Sequence, residues 1–176
     1  MAQSAKQERW AREGRGSGGF TALEVLLATS ILAIISLSVS SALMAGRAQA
    51  SNAQNTIYAS LLAQELMEEI MRLPYADPSG STFLGPSGSE TSRQLYDNRG
   101  DYYLYTDGAG TTLPKITDLA GNVYPTPYQN FTRTVNMTQT TYSPPGWGRS
   151  VTGLLVTIRV TRGSQTCATV EQFVTP

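Results

Sequence analysis

Residues 18–44 read GGFTALEVLLATSILAIISLSVSSALM, and the rest of the chain is best understood from this stretch outward. From Phe20 to Met44 it is apolar, with neither proline nor glycine, and no charged side chain falls between Glu24 and Arg47. About 20 such residues suffice for a helix to cross a bilayer. Glu24 lies inside the run, four residues after Phe20. A carboxylate in lipid costs about 2.5–3.5 kcal/mol at mid-membrane and less near the surface, so a plain anchor has no use for one. If the chain were cut after Gly19, Phe20 would carry a free ammonium at a helix N-terminus, where the helix already has partial positive charge. A carboxylate at i+4 shares a face with that ammonium and offsets it. In a bundle, a neighbour's Glu24 would do the same, with a strong dependence on register in low dielectric.

On the N-terminal side, residues 1–19 are polar and glycine-rich, with Lys6, Arg9, Arg12 and Arg15 set against Glu8 and Glu13. This positive excess predicts a cytoplasmic leader, with the C-terminal part outside the membrane. On the other side, residues 45–73 continue as an amphipathic helix. Ala59, Leu62, Leu66, Ile70 and Leu73 recur at steps of three or four and share a face. Glu65, Glu68 and Glu69 are expected to lie on other faces, in solvent. Pro74 ends the run. One helix of roughly 80 Å is thus expected from Phe20 to about Arg72.

From residue 74 to 176 the composition shifts to Gly, Pro, Ser, Thr and Tyr. Residues 76–90 read as loop. Strands are expected at Tyr102–Thr106 and Phe131–Thr141. The clearest alternation is Leu154, Val156, Ile158 and Val160; Gly163-Ser164-Gln165 should turn the chain into a hairpin partner over Cys167–Val174. The fold class expected is α+β: a long N-terminal helix with a small antiparallel sheet packed on its C-terminal half. The organisation expected is a leader (1–19), a transmembrane and assembly helix (20–44), its amphipathic continuation (45–73) and a globular loop and sheet domain (74–176).

Taken together, GFTALEVLLATSILAI resembles the prepilin-type cleavage and methylation segment of type IV pilins and type II secretion pseudopilins. The resemblance implies that a prepilin peptidase cuts between Gly19 and Phe20 and N-methylates Phe20. It implies that Glu24 recruits the subunit into a filament by meeting a neighbour's N-terminus. The partners implied are that peptidase, other pilin or pseudopilin subunits and an inner-membrane assembly platform. The location implied is the bacterial inner membrane, single-pass with a periplasmic domain, then a periplasmic or surface filament. Residues 61–75, LLAQELMEEIMRLPY, resemble the helix end of minor pilins of the mannose-sensitive haemagglutinin and PilV-like kinds. Many major pilins have a mid-segment proline and a C-terminal cysteine pair. This chain has Ser41 in that region and one cysteine, which favours a minor pilin or pseudopilin.

Other features bound the function. With no histidine, a Ser-His or Cys-His nucleophile pair cannot be built, and an enzyme is not expected. Cys167, the sole cysteine, excludes an intrachain disulfide and is expected as a small buried strand residue. A net charge of +0 gives no nucleic-acid footprint. No cofactor is expected, although Asp97, Asn98, Asp101, Asp107 and Asp118 are oxygen donors of the kind calcium uses, in a spacing that is not an EF-hand. Arg99-Gly100-Asp101 reads as a chance integrin-type tripeptide. Two rival readings remain. Ala48-Gln49-Ala50 has the form of a signal-peptidase site, which would release a secreted domain. Alternatively, the apolar run simply anchors an unrelated domain.

Overall fold

A computed structural model of the chain describes residues 19–81, 83–146 and 148–176. The leader expected at 1–19 lies outside these residues apart from Gly19. The chain divides into two compact units between Gln49 and Ala50. Helix α1, Ala22–Arg72, supplies residues to both.

In the first unit, α1 starts where the sequence gives it a cap. The Thr21 hydroxyl accepts the Glu24 backbone N–H at 3.2 Å, satisfying one of the helix's orphan donors. Glu24 in the first turn suits the positive end of the helix dipole. Beyond it the apolar side chains are exposed on every side, from Leu23 to Met44. The helix is long and apolar enough to cross a membrane. The hydroxyls of Thr29, Ser30, Ser36 and Ser38 bond to carbonyls of the preceding turn, at 2.8–3.0 Å. They thereby turn their polarity back into the helix.

In the second unit, α1 buries Ala59, Leu62, Ala63, Leu66, Met67 and Ile70. This is the expected stripe, widened by Ala63 and Met67; Leu73 lies beyond the helix end and is half-buried. The stripe packs into a core shared with Phe131, Val135, Met137, Val156, Ile158 and Val160. The helix stops two residues before Pro74, and the Arg99 guanidinium closes its end. Arg99 Nε donates to Leu73 O at 2.8 Å and its terminal nitrogen to Met71 O at 3.2 Å. These are carbonyls that a helix terminus leaves without partners. The Arg99-Gly100-Asp101 triplet is therefore structural, with Gly100 and Asp101 buried.

The sheet has four antiparallel strands among the described residues: β1 Thr106–Gly108, β2 Thr132–Tyr142, β3 Val151–Arg162 and β4 Gln165–Val174, in the order β1-β2-β3-β4. The layout is α+β, as expected. Leu154, Val156, Ile158 and Val160 all face the core. Gly163, with φ of 58°, supplies the positive φ of a two-residue hairpin between Arg162 and Gln165. Cys167 lies on β4 but is only half-buried, because β4 is the outermost strand.

One expected strand is corrected. Residues 102–105 do not form a strand: a 3₁₀ turn over Arg99–Tyr102 is followed by Leu104 at φ 60°, and strand pairing begins only at Thr106. Asp101 fixes that turn by accepting the Asn98 and Asp97 backbone N–H groups at 3.0 and 3.1 Å. Tyr102 and Tyr105 then both enter the core, three residues apart, where alternation would have separated them.

At the end of β1 the chain makes a close approach. Gly108 has φ of 99°, and a Cβ there would lie 2.2 Å from Phe131 O. Gly108→Ala is expected to destabilise the second unit by about 2 kcal/mol or more, from left-handed strain plus a backbone clash. Chemical denaturation followed by tyrosine fluorescence measures it; a loss under about 0.5 kcal/mol would contradict the geometry.

Candidate functional site

The residues expected to carry function cluster at the entrance of α1. Gly19 and Phe20 precede the helix and are exposed, Phe20 at 79 %. Glu24 occupies the third helical position and is exposed. A peptide bond before Phe20 is thus open to a protease, and the Glu24 carboxylate is open to a partner. Thr21 belongs to the same entrance. Thr21-x-x-Glu24 has capping-box spacing, and the Thr21 half is formed. The cap uses only the Glu24 backbone N–H, which leaves its carboxylate without a hydrogen-bond partner among the described residues.

The second cluster is buried and has no counterpart in the expectations. Arg133, 1 % exposed, sits on the core face of β2 between Phe131 and Val135. It grips Asp107 of β1 with two bonds, Nε to Oδ1 at 2.9 Å and the terminal nitrogen to Oδ2 at 2.5 Å. Arg93, from a 3₁₀ turn over Arg93–Leu95, reaches Asp107 at 3.6 Å and Glu69 of α1 at 3.0 Å. Both guanidiniums also donate to Thr117 O, at 2.9 and 3.2 Å. Tyr102 O–H donates to Glu69, and Tyr124 O–H to Glu65. Tyr105 O–H donates to Asp107 at 2.9 Å. The network thus fastens the last turns of α1 to the loop segment and to the first two strands.

This corrects the reading of the glutamates. Glu68 is exposed, but Glu65 and Glu69 are half-buried and bonded inward. Their i, i+4 spacing sets them in a row beside the Leu62–Leu66–Ile70 stripe, so they border the core.

The electrostatics follow from burial. Burial alone would lower the Arg133 pKa; the hydrogen bonds and charge of Asp107 more than offset this and raise it. Burial pushes the Tyr105 hydroxyl up to about 12, reinforced by the Asp107 charge. Burial also raises Glu65, against the opposing charge of Arg133. A raised folded-state value means that the folded chain holds this proton more tightly than the unfolded chain. Stability therefore falls as pH rises through the window from the ordinary glutamate value to the raised one. Glu65→Gln should melt close to the parent at pH 4 and above it at pH 7. A melting difference that stays constant between those pH values would refute this account.

The acids expected as calcium donors are dispersed. Asp107 is committed to the two arginines, and Asp118 to the side chain and backbone of Asn122 at 2.8 Å. Asp97 and Asp101 remain close, with Glu90 in place of the other two. Their carboxylate oxygens lie within 4.8 Å of one another. Asp101 already accepts three N–H bonds from Asp97 and Asn98, which leaves little room for a cation.

None of the family models, curated proteins or solved structures compared with the chain matches it. The class is therefore stated by its architecture: an apolar helical segment able to span a membrane, and an α+β domain formed around the helix's C-terminal half.

Proposed function

We propose that the chain is a minor pilin or pseudopilin, processed by a prepilin peptidase between Gly19 and Phe20 and assembled through its N-terminal helix into a type IV pilus-like or type II secretion filament. The observation that carries this reading is one exposed carboxylate, Glu24, four residues after Phe20 at the mouth of a helical segment, residues 22–44, that is otherwise without charge and exposed on all sides. Such a surface is stable only against lipid or other apolar helices. Cleavage supplies the Phe20 ammonium, and a neighbour's Glu24 gives it a counter-charge at one axial register. The peptidase then N-methylates Phe20. The role is assembly, not catalysis, at the bacterial inner membrane with the sheet domain on the periplasmic side.

A specific observation also favours the signal-sequence reading. The boundary between the two units falls between Gln49 and Ala50, next to the Ala48-Gln49-Ala50 site. A cut there would leave every buried core residue in the released part. N-terminal sequencing of the mature protein separates the two: a methylated Phe20 is expected, and Ser51 would end the filament reading.

A further inference from the structure

Strand β2 has neighbours on both sides for only part of its length. Thr132–Thr134 pair with β1, and the Val135 N–H donates to Tyr105 O at 2.9 Å. Before Tyr105 the chain is deflected by Leu104, whose φ of 60° costs a bulky residue about 1–2 kcal/mol. From Asn136 to Tyr142, β2 therefore pairs with β3 alone.

Peptide groups alternate in direction along a strand. The N–H and C=O groups of Gln139 and Thr141 thus point the same way as those of Val135, away from β3. Both residues are exposed, and none of these four groups has a partner among the described residues. Residues 136–142 read NMTQTTY, without the proline, lysine or inward charge that natural edges use to prevent pairing. Beside this edge lies a cavity of about 290 Å³ walled by Tyr75, Asp77, Phe83, Leu84, Gln139 and Leu154. Phe83 is 85 % exposed. Asp77 is the single charged side chain in the wall. Its Oδ1 takes the Ser79 N–H at 2.6 Å, and no cation pairs with it among the described residues.

We propose that the free edge of β2 receives an extended segment of a partner protein as a fifth strand, with an arginine or lysine opposite Gln139. Only an extended backbone satisfies a row of alternating edge donors and acceptors. Cross-strand neighbours share a face, so a side chain opposite Gln139 lies on the cavity side. The apolar stem of a long basic residue fits along Tyr75, Phe83 and Leu84, and its charge meets Asp77. A second copy of the chain fits less well: its edges, β1, β4 and the free half of β2, bring Asp107 and Glu171 and no cation. This inference does not rest on the proposed filament role.

The test uses the full chain in detergent micelles and a seven-residue threonine–valine peptide with arginine at its centre. Millimolar peptide is expected to slow amide exchange at Gln139 and Thr141 while leaving β3 unchanged. Replacing the central arginine by alanine should weaken binding about five- to tenfold, and Asp77→Asn should erase that difference. N-methylating the peptide's β2-facing amides should abolish binding, whereas methylating the opposite ones should not. Absence of protection at the two amides, or equal binding of the arginine and alanine peptides, overturns the proposal. So does protection that grows with protein concentration without peptide, which would identify a second copy as the occupant.

Discussion

Asp107→Ala is expected to cost roughly 3–5 kcal/mol of folding stability, the range for a buried pair broken on one side. Asp107 accepts both bonds of the Arg133 fork, lies 3.6 Å from Arg93 and takes the Tyr105 hydroxyl. Removing its carboxylate leaves two guanidiniums in a region that excludes water. Glu69 answers Arg93 alone, so Arg133 is left with a carbonyl as its remaining partner. Removing both members of the pair removes the uncompensated charge. Asp107→Ala combined with Arg133→Met should therefore be more stable than Asp107→Ala alone, a non-additivity that a double-mutant cycle measures. Denaturation of the four proteins side by side gives the answer. A single mutant losing less than about 1 kcal/mol would mean that water reaches the network.

The second large effect concerns the helix entrance. Under the proposed role, Glu24→Ala should still be processed, because the Gly19–Phe20 bond precedes the helix, but should be lost from sheared filaments. The cap at Thr21 makes a sharper comparison possible. The Thr21 cap takes only the backbone N–H of residue 24, so Glu24→Gln keeps the helix start and removes only the charge. If Glu24 acts by pairing with a neighbouring ammonium, Glu24→Gln fails to assemble as Glu24→Ala does. If its charge is not what matters, Glu24→Gln assembles normally and the charge-register mechanism is wrong. Quantifying the subunit in membrane and filament fractions distinguishes the two.

Much of the fold was legible in the chain because it is periodic. The apolar run, the 59–70 stripe and the β3 alternation each repeat often enough to survive a few exceptions. Legibility ended where one residue broke a pattern for a distant partner. Arg133 shares the parity of Phe131, Val135 and Met137, so a strict reading of alternation places a guanidinium in the core. Its partner, Asp107, lies 26 residues earlier in a three-residue strand too short to show a period. Glu65 and Glu69 read as solvated because a charge with no partner nearby in sequence belongs in water. Their half-burial follows from partners, Tyr124 and Arg93, that only the folded loops bring near. The tyrosines of 102–105 looked like a strand, but an aspartate cap and a left-handed leucine made a turn of them. At the helix entrance the position of Gly19, Phe20 and Glu24 was legible, because the apolar run begins there. The Thr21 cap was equally visible in the sequence as Thr-x-x-Glu.

The hydroxyls of Thr29, Ser30, Ser36 and Ser38 bear on reversibility. Each is already closed on a carbonyl of its own helix. If the segment leaves acyl chains to pack against other helices, as the proposed role requires, these positions exchange contacts without making or breaking a hydrogen bond. The two environments then differ mainly in packing and in the counter-charge at Glu24, so these hydroxyls raise no barrier to passage in either direction. In the proposed role, these four hydroxyls would add no hydrogen-bond cost either to entry into an assembly or to return to the bilayer.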